Sequence, residues 1–188
     1  MNDDIEKVLI TRQQIAQRIE ALAQEVTADL AKIDHDGEVT LVPILTGSII
    51  FVADMIRCLP QRMQIHLMSV SSYPGTATTS QGVKIENALN TVPQDLTGRV
   101  VLLMDDILDS GNTFRAVTEE LKKRNPLALK TCTLLRKQRP EAMSFPIDYV
   151  AFDIPDEFVV GYGLDFDDYY RNLPEIGVLK KSVIEQHA

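Results

Sequence analysis

Three acidic side chains, Asp105, Asp106 and Asp109, follow the apolar run Val100-Val101-Leu102-Leu103-Met104 and lead into Ser110-Gly111-Asn112-Thr113. Ionised carboxylates accept hydrogen bonds and cannot donate them, so an adjacent pair suits the hydroxyls of a ribose cis-diol. Setting two of them at the end of a strand buried on both faces costs several kcal/mol unless they are paired or hydrogen-bonded. A pair in that position is better explained by a ligand than by solvent. The turn behind it is small, polar and centred on Gly111, and a helix follows. Successive amides, the positive helix end and hydroxyl donors together make a phosphate-sized anion site. The segment alone therefore describes a site for a sugar phosphate. The plainer alternative, an acidic turn capping the next helix, leaves the buried strand before it unexplained. Neither G-x-x-x-x-G-K-[ST] nor G-x-G-x-x-G occurs, so a P-loop nucleotidase and a dinucleotide enzyme gain no support.

The elements that must position this segment are legible as pattern. Thr11-Arg12-Gln13-Gln14 is a capping box, and behind it Ile15, Ile19, Leu22, Val26, Leu30 and Ile33 form one apolar helical stripe, which His35-Asp36-Gly37 ends. Val39 to Leu45 is a short apolar run, Ser48 to Leu59 is helical, and Gln64 to Ser71 alternates. The wholly apolar Val100 to Met104 strand precedes a helix over Thr113 to Arg124, and further strands are predicted over Leu127 to Leu135 and Tyr149 to Phe152. Wholly apolar strands alternating with amphipathic helices imply a parallel sheet covered on both faces. In such sheets ligands bind at the carboxyl ends of the strands.

Composition narrows the class. The chain has 188 residues, 45% apolar and 24% charged, which predicts one globular domain over 1–188. A net charge of −8 and a pI near 4.9 argue against a nucleic-acid partner held by phosphate contacts. A polyanionic small substrate then needs a metal cation as intermediary. The nearest approach to a membrane span, Leu41 to Leu59, is broken by Asp54, Arg57 and Thr46-Gly47-Ser48. Met1-Asn2-Asp3-Asp4 is acidic and lacks the apolar core of a secretion signal. Cys58 and Cys132 sit in apolar surroundings and are expected to be buried free thiols in a cytoplasmic protein.

The strand, the acid pair and Asp109-Ser110-Gly111-Asn112-Thr113 resemble the phosphoribosyl pyrophosphate (PRPP) motif of the type I phosphoribosyltransferases. The likeness extends over the chain from about Lys7 to Leu179. It includes Leu45-Thr46-Gly47-Ser48, Ser72-Tyr73 and, most specifically, Ile154-Pro155-Asp156-Glu157-Phe158-Val159-Val160-Gly161-Tyr162-Gly163-Leu164-Asp165 with Tyr170-Arg171-Asn172-Leu173-Pro174, which resembles the hypoxanthine(-guanine) branch. The resemblance implies an α/β fold: a mostly parallel twisted sheet with helices on both faces. It adds a small hood formed by the N- and C-terminal segments and a mobile lid at about 72–82. The implied reaction is Mg²⁺-dependent transfer of phosphoribosyl from PRPP to N9 of hypoxanthine, and of guanine, giving IMP or GMP.

The resemblance also assigns roles. Asp105 and Asp106 hold the ribose hydroxyls, directly or through Mg²⁺, and Asp109, Ser110, Gly111, Asn112 and Thr113 cradle the 5′-phosphate. Asp109 serves as general acid/base at the purine N7, Phe158 stacks on the ring, and the Val159 backbone reads the edge at C2. Asp165 binds the Mg²⁺ that holds pyrophosphate, while Thr46, Gly47, Arg171, Ser72 and Tyr73 contact pyrophosphate. Two positions depart from the family. Pro146 stands where many relatives carry a lysine for the purine O6, which leaves Lys137, backbone or water for that contact. Thr46 stands where many carry Lys or Arg.

On pattern alone Phe158, ahead of two valines, is a buried strand residue. His35, His66 and His187 have no ligand spacing, and Lys122-Lys123-Arg124 is a solvated helix end. The resemblance further implies a homodimer or homotetramer. The alternative function is an RNA-binding regulator of the pyrimidine-attenuator type, whose relatives generally carry tyrosine where Asp109 stands. A PRPP-sensing repressor needs a DNA-binding module, for which about 35 residues ahead of the first predicted strand leave little room.

Overall fold

A computed structural model describes residues 1–69 and 88–186. In chain order the elements are β1 (Ile5–Ile10), α1 (Arg12–Leu30), β2 (Glu38–Leu45), α2 (Ile49–Cys58), β3 (Arg62–Ile65), β4 (Met68–Ser69), β5 (Val100–Leu108), α3 (Asn112–Lys122), β6 (Ala128–Lys137), α4 (Pro140–Met143), β7 (Tyr149–Ile154), β8 (Val159–Val160), β9 (Ile176–Leu179) and α5 (Lys181–Gln186). The main sheet runs β3-β2-β5-β6-β7, with β4 also on β2, and every pairing in it is parallel.

Alternation along β5 decides what covers each face. Val100, Leu102 and Met104 pack with Ile15, Ile19 and Leu22 of α1 and Phe51 and Met55 of α2. Val101 and Leu103 pack with Phe114, Val117 and Leu121 of α3 and Phe145. The doubly covered parallel sheet is thus the architecture the apolar runs imply. The Thr11 capping box is formed, Thr11 Oγ1 accepting from the Gln14 amide at 3.3 Å and Gln14 Oε1 from the Thr11 amide at 2.9 Å.

A second, three-stranded sheet, β1-β9-β8, brings strands near the two ends of the chain together. Its own small core gathers Val160, Leu173 and Leu179 with Ile5, Phe166 and Tyr170. β1 stands where no strand was expected: its residues have neither the apolar run of a central strand nor clean alternation, and pairing with β9 defines it.

Three other expectations are corrected. Helix α1 ends at Leu30, with Ala31 as its cap, before His35-Asp36-Gly37 is reached. Cys58, at the end of α2, is exposed, and only Cys132 is buried. Arg124 is not part of a solvated helix end. It is 5% exposed, and its Nη1 donates to the carbonyls of Leu89, Val92 and Pro93 at 3.2, 2.7 and 3.2 Å. Leu96 in turn bonds through its amide to the Arg124 carbonyl at 2.8 Å, so one residue ties the stretch 89–96 to the end of α3. Removing the guanidinium strands these carbonyls without a donor. Arg124→Ala should therefore destabilise the protein by about 3 kcal/mol, measured by urea unfolding; a loss under about 1 kcal/mol would show that water replaces the side chain.

Candidate active site

The site is made where the strands of the sheet stop at different heights. Pairing between β2 and β5 ends at Pro43–Met104, whereas β5 and β6 stay paired through Asp105–Thr133, Ile107–Leu135 and Leu108–Arg136. The expectation that the strand ends at Met104 is corrected: β5 carries the acid pair within it. Asp105 and Asp106 occupy extended backbone on the side that β2 has vacated, and the chain leaving β2 turns there through Thr46 and Gly47. The Leu45–Thr46 peptide is cis, Ser48 Oγ donates to the Ile44 carbonyl, and α2 begins at once.

A cavity of about 1010 Å³ opens at this end, lined by Thr46, Gly47, Asp105, Asp106, Ile107, Asp109, Ser110, Gly111, Thr113, Phe158, Asp165, Phe166, Asp168 and Arg171, among others. Glycine is required at three places, two on its wall and one behind it. Gly111 has φ +77°, and a Cβ there would press on the Phe145 ring at 2.8 Å. A Cβ on Gly47 would collide with the Asp106 carboxylate, and one on Gly163 (φ +106°) with the Gly47 carbonyl. The close approach of Gly163 to Gly47, and of Gly47 to Asp106, packs the floor tightly beneath the acid pair, with Asp105 buried and Asp106 half-buried on the cavity wall.

The electrostatics follow from that packing. Burial pushes the Asp105 carboxyl well above the usual carboxylate range, and the neighbouring Asp106 charge adds to the effect. Burial raises Asp106 as well, opposed by hydrogen bonding to Asp105 and to backbone amides and by the Arg171 charge. The Asp106 amide donates to Asp105 Oδ1 at 3.0 Å. Around the opening the charges compensate one another. Arg171 Nη1 pairs with Asp165 Oδ1 at 2.7 Å and donates to the Gly163 carbonyl at 3.0 Å, while Nη2 donates to Asp168 Oδ1 at 2.7 Å. The Asp168 amide donates to the second oxygen of Asp165 at 3.0 Å.

The turn after β5 leads straight into a helix. Gly111 is the left-handed N-cap of α3, the first amides of that helix have no intrahelical acceptor, and the Ser110 hydroxyl accepts from the Asn112 amide at 3.4 Å. Phe158 is not a buried strand residue. It is 43% exposed and meets Phe166 edge to face, with ring centroids 5.4 Å apart, so one of its faces is free to stack.

The structure brings Asp105, Asp106, Asp109, Ser110, Gly111, Thr113, Thr46, Gly47, Phe158, Asp165 and Arg171 around one cavity. Asn112, Val159 and Lys137 stand next to it without lining it. Lys137 is held 3.4 Å from Asp109 Oδ2 and 3.2 Å from Asp156 Oδ1. Ser72, Tyr73 and the segment 72–82 lie outside the described residues. Among the described residues no three metal-capable side chains converge.

Sequence reasoning missed Phe166, Asp168 and, above all, Arg139, whose Nη1 donates to Asp109 Oδ1 at 2.5 Å. Its signal was its place two residues beyond Lys137, the spacing that returns an extended chain to the same face.

This geometry is that of a known class. Residues 9–167 match the phosphoribosyl transferase domain, and the chain belongs to that family. Within it, the chain groups with the hypoxanthine-guanine phosphoribosyltransferases. The Mycobacterium avium enzyme of that name is 42% identical over 185 residues, covering 97% of this chain and 90% of its own. That of Bacillus subtilis is 38% identical, covering 98% and 99%. The hypoxanthine phosphoribosyltransferase of Trypanosoma cruzi complexed with the product IMP superposes with a TM-score of 0.86 at 32% identity, covering 98% of this chain and 96% of its own. A T. cruzi structure obtained in work on the role of the C-terminal region in oligomeric state matches equally well, at 0.86.

Asp105 supplies a pH test. A carboxyl whose folded-state pKa lies above its unfolded value contributes stability below about pH 4 and loses it as pH rises through the folded value. Asp105→Asn, which cannot ionise, should therefore stabilise the ligand-free protein by about 2 kcal/mol at pH 8, with the gain vanishing near pH 4. Thermal unfolding across that range checks it; a variant less stable than the parent at pH 8 would contradict the assigned cause.

Proposed function

We propose that the protein is a purine-salvage hypoxanthine phosphoribosyltransferase, transferring phosphoribosyl from PRPP to N9 of hypoxanthine, and of guanine, with release of pyrophosphate. The observation that carries this reading is the single cavity in which a buried acid pair, a helix-capping glycine turn, an exposed phenylalanine face and an arginine–aspartate pair converge. Family membership supports it. The RNA-binding alternative has no support: the matching relatives are transferases by name, and an aspartate stands at 109.

Each residue has a task its chemistry suits. Asp105 and Asp106 accept from the ribose 2′ and 3′ hydroxyls. Ser110, Gly111, Asn112 and Thr113 offer amides and hydroxyls to the 5′-phosphate at the head of α3. Phe158 stacks on the purine, the Val159 backbone reads its C2 edge, and the 6-oxo contact falls to Lys137, to backbone or to water, since Pro146 has no side-chain donor.

As N9 attacks the ribose C1, the C1–oxygen bond to pyrophosphate breaks through an oxocarbenium-like transition state, and Asp109 exchanges the proton at N7. Charge then builds on the departing oxygens. Arg171 and the Thr46 and Gly47 amides are aimed there and stabilise the transition state more than the ground state. The carboxylate donors fit Mg²⁺, which favours oxygen ligands and is commonly held by one or two carboxylates together with substrate phosphates. Asp165 would hold it on the pyrophosphate side, and Asp105 and Asp106 through the ribose hydroxyls. When bound, the ion neutralises the leaving group. Ser72 and Tyr73 complete the pyrophosphate contacts, and a lid over about 72–82 excludes water as competing nucleophile. The proposal includes a homodimer or homotetramer in the cytoplasm, a reducing compartment that suits the free thiols of Cys58 and Cys132.

Hypoxanthine, PRPP and Mg²⁺ should yield a product absorbing as IMP, and EDTA should abolish the reaction. Asp109→Asn should lower kcat by about 100-fold or more while the KM for PRPP changes little, because the geometry survives and the proton acceptor is lost. No conversion of hypoxanthine, guanine or xanthine would overturn the reading.

A further inference from the structure

Both oxygens of Asp109 face a cation. Arg139 Nη1 donates to Oδ1 at 2.5 Å, and Lys137 Nζ lies 3.4 Å from Oδ2. Lys137 has Asp156 as a second partner at 3.2 Å and a place in the purine contacts. Arg139 has no such task. Its guanidinium covers the Oδ1 edge on which another donor would arrive. Two more carboxylates stand within reach but are poorly engaged: Arg139 Nε is 3.5 Å from Glu141 Oε2 and 4.0 Å from Asp156 Oδ2. That Nε is shielded from solvent and has no hydrogen-bond partner. The side chain therefore has one good contact, on Asp109, and two looser carboxylates within reach of its unpartnered Nε.

We propose that Arg139 competes with the purine for Asp109. In the ligand-free protein it holds the carboxylate, and as the base seats it moves onto Glu141 and Asp156, freeing the oxygen that meets N7. Arg139 is a positioning residue acting through Asp109, and the inference rests on the role given to Asp109 above. Its energetic logic is that of a protein only part of which is competent to bind: apparent affinity is the intrinsic affinity scaled by the fraction with Asp109 free. The carboxylate of Asp109 is 44% exposed, and an ion pair so open to water favours its closed form only several-fold. The contact thus tunes purine affinity and does not block turnover. Glu141, 59% exposed and outside the site, sets how readily Arg139 lets go.

The test is steady-state kinetics at fixed ionic strength and saturating PRPP. Arg139→Met keeps the aliphatic stem and removes every donor. It should lower the KM for hypoxanthine by about three- to ten-fold, with kcat and the KM for PRPP within about two-fold of the parent. Glu141→Gln should raise the KM for hypoxanthine by about two- to five-fold, and this effect should disappear in the Arg139→Met background. An unchanged or raised KM in Arg139→Met overturns the inference, as does a kcat that falls with it, since Arg139 would then stay on Asp109 through the reaction. So does an effect of Glu141→Gln that persists without Arg139. Turnover in the parent separates the two levels. Parent activity with no KM change removes this inference alone, and an inactive parent removes the proposed function with it.

Discussion

The rest of the site is built around a pair of adjacent carboxylates set in the floor of the cleft, Asp105 buried and Asp106 half-buried. Asp105 and Asp106 are locked in the floor of the cleft because β5 continues after β2 has turned away and because Gly47 packs against the Asp106 side chain. Ionised acids so placed are costly, and their proton affinity rises accordingly. The cost is the functional point. On the proposed function, a ligand offering hydroxyl donors satisfies these acceptors and one without them does not, so preference for a vicinal diol would follow from the penalty of leaving a buried acceptor unpaired.

The periphery obeys the opposite rule. Asp109, Asp165 and Asp168 are each met by arginine or lysine within 3.4 Å, so the opening is neutralised internally before any ligand arrives. Ion pairs this accessible to water are weak and can be exchanged for ligand contacts at low cost. A rigid, under-solvated floor and an exchangeable rim divide the work: the floor selects and the rim admits.

Legibility in the sequence tracked how local each cause was. The apolar strand, the acid pair, the glycine turn and the Thr11 capping box are written in contiguous residues and were readable. Long-range causes were not. β1 is a strand because β9 pairs with it. Arg124 is buried because three carbonyls from 89–93 surround it, although its neighbours Lys122 and Lys123 mark it as a solvated helix end. Phe158 shows the reverse error: by pattern it belongs in a core, and it is exposed because the β8 strand is only two residues long and begins after it. Of the site, the carboxylates and the anion turn came from residue chemistry. The roles of Phe158, Val159, Asp165 and Arg171 came only from resemblance, since nothing in their spacing distinguishes a purine shelf from packing.

Charge balance explains why the two halves of the site need each other. The chain carries a net charge of −8, and the substrate proposed for it is itself a polyanion, so simple attraction would keep them apart. The phosphate end is met by amides and a helix terminus, which supply positive potential without adding a mobile charge. The diphosphate end is met by Arg171, whose guanidinium is already shared between Asp165 and Asp168. On the proposed function, pyrophosphate would claim Arg171 in competition with Asp165 and Asp168, and a divalent metal arriving with the substrate would compensate the carboxylate that Arg171 gives up. The 2.7 Å Arg171–Asp165 ion pair is then the contact that such an exchange would have to break, and its exposure to water makes that exchange easy.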